Sequence, residues 1–554
     1  MKKQYFLFYL ICILIATPAF SQSAPGKYFI QFTDKNHNSY TLSNPKQFLS
    51  ERALERRTKQ NIKIDSLDLP VSPYYVAELQ KAGAVILHRS KWFNAATIEA
   101  SPEVMAKINV MPFVRKAYQA PVYHVPVEQK TFQFSRTAQV CEITGADTEP
   151  YGAAYYQMKM LHGDALHCAG YTGKGILIGV LDAGFSRVDS FQVFQNLWNK
   201  GQITGSYDFV DGGTDVYKSS AHGMFVLSIM GGNLPGKMIG AAPDADYLLI
   251  RTEDSRSEFM IEEDNWVAGA EFADSAGVDI INSSLGYTTY DDTTQSHTYQ
   301  NMDGKTTRVS IGANIAASRG ILVVNSAGNS GSGDWQYISA PADGHGVLAV
   351  GAVDYLSKYA FFSSIGPSYD GRIKPDVSAK GEGTALASLD DGEVMNGNGT
   401  SFSAPIISGM AACLWQAFPH RNRAEIAAAI RQSSNRYPNP DFFYGYGLPD
   451  FAKAYKLLKS TEGSTSGNES PIAIYPNPFT NYLELSFKFP EAQNVMVEMF
   501  SFDGKKVLSM EFQAEKNTFN RKFLNEPAML PAGMYIVRIQ AGDVSITEKV
   551  VKFN

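Results

Sequence analysis

The distribution of apolar and polar positions divides the chain into four stretches of different character. The first is a short apolar run at residues 5–16, which follows the basic start Met1-Lys2-Lys3. Small residues just beyond it place a predicted cleavage after residue 21. Because so short a run cannot cross a bilayer, residues 1–21 have the pattern of a secretory signal peptide. No later apolar run is long enough to span a membrane, so no transmembrane segment is predicted.

The second stretch, residues 22–122, mixes short apolar runs with charged helical patterns. Strands are predicted at residues 27–32, 85–87, 96–98 and 114–118, and helices at residues 45–59 and 102–108. These elements predict a small α+β domain. Residues 121–147 contain prolines and little helical periodicity, which indicates a connector that can be cleaved between positions 119 and 150.

The third stretch, residues 148–458, alternates apolar strand patterns with helical patterns. Strands are predicted at residues 176–181, 247–250, 278–282, 321–325 and 347–350, and helices at residues 257–276, 310–319 and 406–418. This alternation predicts an α/β domain whose parallel sheet carries helices on both faces.

One segment of the third stretch, residues 287–307, interrupts that rhythm and is rich in Tyr, Thr and Asp. It follows a predicted strand, so we expect a loop at the mouth of a cleft, where specificity commonly resides. Its aspartates Asp291, Asp292 and Asp303 could bind calcium, although a solvated loop is the favoured interpretation.

The fourth stretch begins after a polar linker at residues 459–470. Short strands are predicted at residues 472–475, 483–487, 495–500, 507–512, 534–539 and 546–551. So many short strands within residues 471–554 predict a small all-β sandwich.

Length, composition and net charge limit the classes of protein to which the chain can belong. A length of 554 residues predicts several domains, and 44% hydrophobic residues are ordinary for a globular protein. The net charge of −6 argues against a nucleic-acid partner.

The four cysteines do not form a disulfide framework. One lies in the leader, which leaves Cys141, Cys168 and Cys413. Cys413 falls in an apolar helix and is predicted to be an inert core thiol. His162, His167 and Cys168 are close in sequence, but no second pair of ligands follows, so no metal site is predicted.

Residues 399–405, GTSFSAP, carry the first candidate for chemistry. They open the apolar segment 406–418, which has the pattern of a buried helix. Ser401 would lie at the amino end of that helix, where unpaired amides and the helix dipole favour developing negative charge. Thr400 is predicted to cap the helix, and Pro405 to lie in its first turn. The alternative is a capped core helix with an incidental serine.

Two further residues strengthen the catalytic interpretation. Asp182 ends an apolar run that is typical of a buried parallel strand, at the end where such sheets place catalytic groups. His222 precedes an apolar helix pattern. The order Asp, His, Ser, each in this context, resembles the subtilisin-like serine proteases.

The resemblance covers roughly residues 148–458. Further matching segments are residues 150–152, 165–167, 170–175, 239–245, 283–286, 326–329, 362–367 and 445–447. It implies Ser401 as nucleophile, His222 as general base and Asp182 as the group that orients the imidazole. It also implies that the Asn329 side chain and the Ser401 N–H stabilise the oxyanion. Residues implied to line the substrate cleft are Ser284, Leu285, Gly286, Ala327 and Gly328.

The sequence departs from the family pattern in a few places. Met224 and Phe225 follow the His-Gly pair where Thr and His are usual, and Phe402 stands where many relatives carry Met. The loop at residues 231–236 lacks the insertion that holds a strong calcium site in some relatives. No cofactor is required by the implied chemistry, and structural calcium is possible but not indicated. The family also has a cis proline at the position of Pro341.

The flanking stretches have resemblances of their own. A small α+β domain before such a protease resembles its propeptide, a folding aid and inhibitor; the alternative is an unrelated adaptor domain. Residues 475–479, 503–505, 530–535 and 549–552 resemble the sorting domain of type IX secretion. That implies the type IX machinery as a partner, with release or surface attachment after export. The alternative is a carbohydrate- or cell-binding β-module.

Together these patterns predict a secreted serine endopeptidase made as a zymogen, with protein or peptide substrates. The rival interpretation is a catalytically inactive surface adhesin on the same scaffold, which the complete set of catalytic residues disfavours.

Overall fold

The computed structural model describes most of the chain, which divides into two compact units, Met1–Leu458 and Lys459–Asn554. The described residues are 26–120, 150–462, 472–475, 479, 483–487, 489, 491–516, 520–524, 526–542 and 544–552. The predicted signal peptide, the connector at residues 121–147 and residues 463–470 of the predicted linker lie outside them.

The first unit begins with an α+β domain. Its elements are β1 (Gly26–Phe32), α1 (Glu51–Lys59), α2 (Pro73–Ala82), β2 (Val85–Ser90), β3 (Ala95–Ala100), α3 (Pro102–Ile108) and β4 (Val114–Ala120). The strands form an antiparallel sheet in the order β2-β3-β1-β4. Its core contains Ile30, Phe32, Val76, Leu79 and Ile98.

Two helices of this domain differ from the prediction. The charged pattern at residues 45–59 yields a 3₁₀ turn and then α1, because the Ser50 hydroxyl accepts from the Ala53 N–H at 3.1 Å and starts a new helix. Helix α2 was not predicted, since its Ser72 makes no side-chain cap and only a short apolar face, with Val76 and Leu79, marks it.

The α/β domain follows in the same unit. Its helices are α4 (Tyr155–Lys159), α5 (Gly163–Cys168), α6 (Gln195–Asn199), α7 (His222–Gly231), α8 (Ile261–Ala276), α9 (Arg308–Ser318), α10 (Thr400–Ala417), α11 (Arg423–Ser433) and α12 (Phe451–Glu462). Its strands are β5 (Leu177–Asp182), β6 (Ile203–Asp208), β7 (Asn233–Leu234), β8 (Met238–Ile239), β9 (Asp246–Arg251), β10 (Ile280–Ser283), β11 (Leu322–Ser326), β12 (Val347–Val353), β13 (Val377–Lys380), β14 (Thr384–Ala387) and β15 (Val394–Gly397).

Seven of these strands form the predicted parallel sheet, in the order β13-β12-β11-β10-β5-β9-β6. Successive residues of β5 face opposite layers: Ile178 and Val180 join the core with α7 and α10, whereas Leu177 and Leu181 join the core with α8 and α9. This period of two explains the continuous apolar run, because both faces of the strand are buried. The chain passes from β9 across β5 to β10, so the strand order reverses at β5, where open α/β sheets place their ligands.

The bounds of several elements differ from those predicted. Helix α8 starts at Ile261, later than expected, and α10 starts at Thr400, earlier than expected. Helix α12 continues to Glu462, into the stretch predicted as linker. The Ala340–Pro341 bond is cis, as expected.

The α+β domain packs on α8. The Ser90 hydroxyl and the main-chain N–H groups of Lys91 and Trp92 all donate to the Glu271 carboxylate, at 2.6, 2.7 and 3.1 Å. Trp92 itself is buried in the core formed by α8 and α9. The two domains therefore share a buried, hydrogen-bonded interface.

The second unit is antiparallel β structure. Its strands are β16 (Ile472–Tyr475), β17 (Leu483–Phe487), β18 (Gln493–Ser501), β19 (Lys506–Ala514), β20 (Asn520–Leu524), β21 (Gly533–Ala541) and β22 (Val544–Lys552). They form two sheets, β16-β17-β20 and β19-β18-β21-β22, around a core that includes Leu485, Val497 and Val537. Strand β20, with Arg521 and Lys522, has too polar a sequence to have been predicted.

Within the described part of the chain, no helix is both long and apolar enough to cross a membrane.

Candidate active site

Two of the expected catalytic side chains meet at the carboxyl edge of the parallel sheet. Asp182 is the last residue of β5, and His222 is the first residue of α7. The His222 Nδ1 lies 2.7 Å from the Asp182 Oδ1, and both residues are buried. A carboxylate can only accept, so Nδ1 carries the proton and Nε2 is the ring nitrogen that can take another.

The close approach of α7 to β5 depends on Gly223. A Cβ at this position would lie 2.5 Å from the Gly184 carbonyl oxygen and 3.0 Å from the Asp182 Cβ. The His222 N–H, in turn, donates to the Ser220 hydroxyl at 3.2 Å. Glycine after the histidine therefore lets the helix start directly against the aspartate.

Ser401 lies in the first turn of α10, and its neighbour Phe402 links it to the imidazole. The ring centroids of Phe402 and His222 are 6.0 Å apart, and Phe225 meets the Phe402 ring edge-on at 6.5 Å. Met224, Phe225 and Phe402 are all buried. The Ser401 hydroxyl itself donates to the Ser284 carbonyl at 3.3 Å.

Two expectations about the start of α10 are wrong. Thr400 is the first helical residue and not the cap; the cap position is Gly399, which has no side chain to cap the helix. Gly399 adopts a φ of +154°, which residues with a side chain rarely adopt, and this allows the helix to begin at Thr400. Pro405 consequently lies inside the helix, beyond its first turn.

Thr400 instead orients Asn329. Its N–H and its hydroxyl both donate to the Asn329 Oδ1, at 2.8 and 2.9 Å, so the amide turns its Nδ2 outward. A Cβ placed on Gly399 would lie 3.7 Å from both this Nδ2 and the Ser401 main-chain nitrogen. Two N–H donors thus flank one small space beside Ser401.

The five residues expected to line the cleft differ in their solvent exposure and in their hydrogen bonds. Gly286 is exposed, Ser284 and Leu285 are almost buried, and Ala327 is fully buried. The Ala327 N–H donates to Val350, and its carbonyl accepts from Ser339. Ala327 is thus buried with both main-chain groups bonded inside the protein, and its expected place in the cleft stays a prediction. The Gly328 N–H donates to the Thr400 hydroxyl at 3.2 Å, so it supports the Asn329 segment.

Ser339 is a buried residue beside Gly286 and Gly328 that sequence analysis missed. A Cβ on Gly286 would lie 2.2 Å from its Oγ, and a Cβ on Gly328 would lie 3.2 Å from it. Ser339 is buried, and its hydroxyl has no hydrogen-bond partner among the described residues. It therefore occupies the gap between two residues that lack side chains. Only its position directly before Ala340-Pro341 could have drawn attention to it.

The aspartates considered as possible calcium ligands accept hydrogen bonds from nearby residues. Asp292 accepts from the Thr294 N–H and hydroxyl, and Asp303 accepts from Lys305 and Thr306. Asp291 accepts from the Glu258 N–H at 3.0 Å.

Metal-ligand geometry occurs elsewhere in the described residues, at Glu253, Glu258 and Glu262, whose carboxylate oxygens lie within 4.8 Å of one another. The Tyr287 hydroxyl donates to Glu253 at 3.0 Å, and burial raises the pKa of this tyrosine well above its ordinary value. Acidic side chains alone do not define a cation site.

Of the histidines and cysteine near residue 167, His167 lies within hydrogen-bond distance of two other segments. The Tyr151 hydroxyl lies 2.9 Å from the His167 Nδ1, and the Nε2 lies 3.0 Å from the Ala241 carbonyl. Cys413 is fully buried, as predicted for a core thiol, and burial raises its pKa well above the ordinary value.

Three family models match the chain. One described as the subtilase family, Peptidase S8, matches residues 173–447. Another, the peptidase S8 propeptide domain of Bacteroidota, matches residues 27–135, and a secretion system C-terminal sorting domain matches residues 473–553. The sorting domain, of the type IX kind, indicates secretion or cell-surface attachment.

Curated relatives match more than half of the chain. Subtilisin NAT of Bacillus subtilis subsp. natto is 30% identical over 307 residues, which are 55% of this chain and 70% of the relative. Subtilisin of Bacillus pumilus is also 30% identical over 307 residues, which cover 97% of that protein.

Solved structures with a similar arrangement include MycP1 from the ESX-1 type VII secretion system, at 21% identity and a TM-score of 0.44, covering 59% of this chain and 90% of that one. MycP1 from Mycobacterium smegmatis has 22% identity and a TM-score of 0.43, covering 59% and 89%.

The subtilase model covers the residues that build the parallel sheet and its buried Asp–His pair, and the propeptide and sorting-domain models match residues before and after them. The chain belongs to the subtilase family of serine proteases.

Proposed function

We propose that this subtilase is an active, secreted endopeptidase in which Ser401, His222 and Asp182 act as a triad. The observation that carries the proposal is the buried 2.7 Å contact between Asp182 and His222, whose imidazole lies beside the ring of Phe402, the residue directly after Ser401. A buried carboxylate–imidazole pair beside a serine at a helix amino end fits nucleophilic catalysis.

In this mechanism the Ser401 hydroxyl turns from the Ser284 carbonyl towards the His222 Nε2 when substrate binds. Nε2 takes the proton as Ser401 Oγ attacks the peptide carbonyl, and then gives it to the leaving amine. Asp182 holds the imidazole in the required tautomer and stabilises its charged form. Catalytic hydrogen bonds are often looser before substrate binds, so the Ser401 orientation is compatible with this role.

The oxyanion would occupy the space beside Gly399. The Asn329 Nδ2 and the Ser401 N–H flank that space, and the amino end of α10 adds its positive dipole. Thr400 supports the arrangement because it accounts for the acceptor end of the Asn329 amide.

The propeptide domain would act as folding aid and inhibitor, and its connector would be cleaved between positions 119 and 150. Its contact with α8 supports this role, since the domain packs on the protease through a buried, hydrogen-bonded interface. Proteins or peptides would be the substrates.

The proposal is tested with Ser401→Ala and His222→Ala in the full chain. Both variants should lose casein hydrolysis above background and should retain their propeptide. If Ser401→Ala cleaves casein at the wild-type rate, the triad assignment fails. If the wild-type chain itself shows no hydrolysis but binds a surface ligand, the inactive adhesin is the correct interpretation.

A further inference from the structure

Helix α10 has a gap in its hydrogen bonding at the nucleophile. In an α-helix the carbonyl of one residue accepts from the N–H four residues later. The residue four after Ser401 is Pro405, which has no N–H. The Ser401 carbonyl, in a buried environment, therefore needs a donor from outside the helix backbone.

Ser284 supplies that donor. Its hydroxyl donates to the Ser401 carbonyl at 2.9 Å, and the Ser401 hydroxyl donates back to the Ser284 carbonyl at 3.3 Å. Ser284 directly follows the last residue of β10. The hydrogen bonds between Ser284 and Ser401 therefore join the carboxyl end of this strand to the first turn of α10. Both are at most 7% exposed.

A second layer of buried groups orients Ser284. The Asn282 Nδ2 lies 3.4 Å from the Ser284 Oγ, and the Ser408 hydroxyl donates to the Asn282 Oδ1 at 2.8 Å. Asn282 and Ser408 are fully buried. The donors all run in one direction, from Ser408 through Asn282 and Ser284 to the Ser401 carbonyl, so the Ser284 proton is directed at that carbonyl.

We propose that Ser284 is a positioning residue for the nucleophile, and that its hydroxyl replaces the main-chain donor that Pro405 removes from α10. This inference rests on the proposed role of Ser401. In this arrangement the Ser284 side chain holds the first turn of α10 against β10. Asn282 and Ser408 help to position that turn because they orient Ser284.

Removal of the Ser284 hydroxyl should act on rate more than on binding. The buried Ser401 carbonyl would lose its donor, and the turn that carries the nucleophile would shift to find another. A displacement near 1 Å can cost about 10²-fold in rate. We therefore expect Ser284→Ala to lower kcat by about 10- to 100-fold with little change in KM.

The decisive variant is Ser284→Ala combined with Pro405→Ala. Alanine at position 405 restores the N–H that α-helical geometry directs at the Ser401 carbonyl, so the double variant should recover most of the lost kcat. A general structural defect at position 284 would not be repaired by a change on another element. Ser403→Ala is the matched control, because it also removes a buried hydroxyl that donates to a carbonyl of this turn, that of Thr400. It should leave kcat unchanged.

Each variant is matured with a tagged trace of wild-type protease, which is then removed, and kcat, KM and Tm are measured on a peptide substrate. Wild-type kcat in Ser284→Ala, or no recovery in the double variant despite a wild-type Tm, would overturn the inference. If Ser284→Ala does not fold, Ser408→Ala carries the test: a lower kcat with unchanged KM supports the inference, and an unchanged kcat overturns it. Ser401→Ala is measured in parallel, since activity in that variant would contradict the proposed nucleophile itself.

Discussion

Asn329 shows how the candidate site depends on orientation as much as on residue type. An asparagine amide can present either its oxygen or its nitrogen to a substrate. Thr400 binds the oxygen with two donors, which leaves the nitrogen beside Ser401. A donor fixed before the reaction needs no reorganisation when the oxyanion forms, and this is the main source of its catalytic effect.

Replacement of Asn329 by Leu should therefore lower kcat by about 10²–10³-fold and leave KM nearly unchanged. Steady-state kinetics on a peptide substrate measures both constants. Thr400→Ser keeps the hydroxyl that orients the amide and is the matched control. A large rise in KM with kcat retained would make Asn329 a substrate contact and not an oxyanion donor.

Ser339 allows a test of whether substrate side chains enter the space beside Gly286 and Gly328. Its hydroxyl occupies the gap between Gly286 and Gly328 and has no partner among the described residues, so a substrate side chain that enters this gap would meet it. Ser339→Asp would place a carboxylate there and should shift cleavage towards peptides with Lys or Arg next to the cut bond. Cleavage-site profiling of a peptide library checks this. An unchanged profile in a folded Ser339→Asp protein would show that the gap does not receive substrate.

Short motifs predicted the residues of the candidate site, but not how their neighbours orient them. Asp182 and His222 were found from the strand end and helix start that carry them, and the structure brings those two ends together. The location of Ser339, and the Ser284 hydroxyl that compensates for the N–H missing at Pro405, were not predicted. They depend on distances between segments that are far apart in sequence, which periodicity does not encode.

At the scale of elements, α1 binds the carboxyl ends of two protease helices. The Ser50 hydroxyl donates to the Ala276 carbonyl at 2.9 Å at the end of α8, and Arg56 Nε donates to the Arg319 carbonyl at 3.2 Å beyond α9. Carbonyls at a helix end lack partners in their own helix and carry partial negative charge, so hydroxyl and guanidinium donors stabilise them.

The centre of this contact is Asp274 on α8. Arg56, Arg57 and Lys91 of the propeptide domain donate to its buried carboxylate at 2.5, 2.9 and 2.7 Å. Burial alone would raise the pKa of Asp274, but the charges of Lys91, Arg56 and Arg57 outweigh it and hold the pKa well below its ordinary value of 3.8. The lowered pKa exists only while the propeptide is bound.

Asp274→Asn should weaken binding of the cleaved propeptide at neutral pH by on the order of 10²-fold or more. It leaves the buried cations Arg56 and Lys91 without their carboxylate partner, and Arg57 with Asp68 alone. Asp279→Asn is the control: its pair with Arg52 is partly exposed, and its loss should cost less than about tenfold. The dissociation rate of the matured complex measures both. Equal effects of the two substitutions would contradict the central role of Asp274.

The same pair of proteins tests the pH dependence. A carboxyl group whose pKa is lowered in the complex stabilises that complex above its ordinary pKa, and the contribution is lost as pH falls below about 4. Wild-type propeptide should thus dissociate faster on acidification in this range, whereas Asp274→Asn should lose this component of the acid response.

The prediction from sequence was good for long apolar elements and poor for polar ones. Five strands of the central sheet, β5, β9, β10, β11 and β12, are mostly buried on both faces and were predicted from their apolar runs. The partly exposed β6 and the short β13 were not predicted. Helix α1 is charged because its cations bind another domain, so nothing in its own periodicity indicated that it docks on α8. Strand β20 was missed for a similar reason, since its residues are mostly polar.

At the scale of the whole molecule, the domains can be separated by function. The sorting domain forms its own core, distinct from the protease unit. Deletion of residues 471–554 should leave a folded protease core inside the periplasm, because the sorting signal is lost while the catalytic unit is intact. Fractionation and immunoblotting detect this. The full-length Ser401→Ala chain is the control and should be exported normally; export of the truncated chain would mean that the sorting signal lies elsewhere.

The most direct test of the central claim identifies the nucleophile chemically. The mature protease is treated with a fluorophosphonate, which loses fluoride when an activated serine attacks its phosphorus, and the modified peptide is mapped by mass spectrometry. We predict one adduct, on Ser401, that forms in the wild-type protein and is lost in His222→Ala. An adduct on another residue, or none in a protein that still hydrolyses casein, would contradict the assignment of Ser401 as nucleophile.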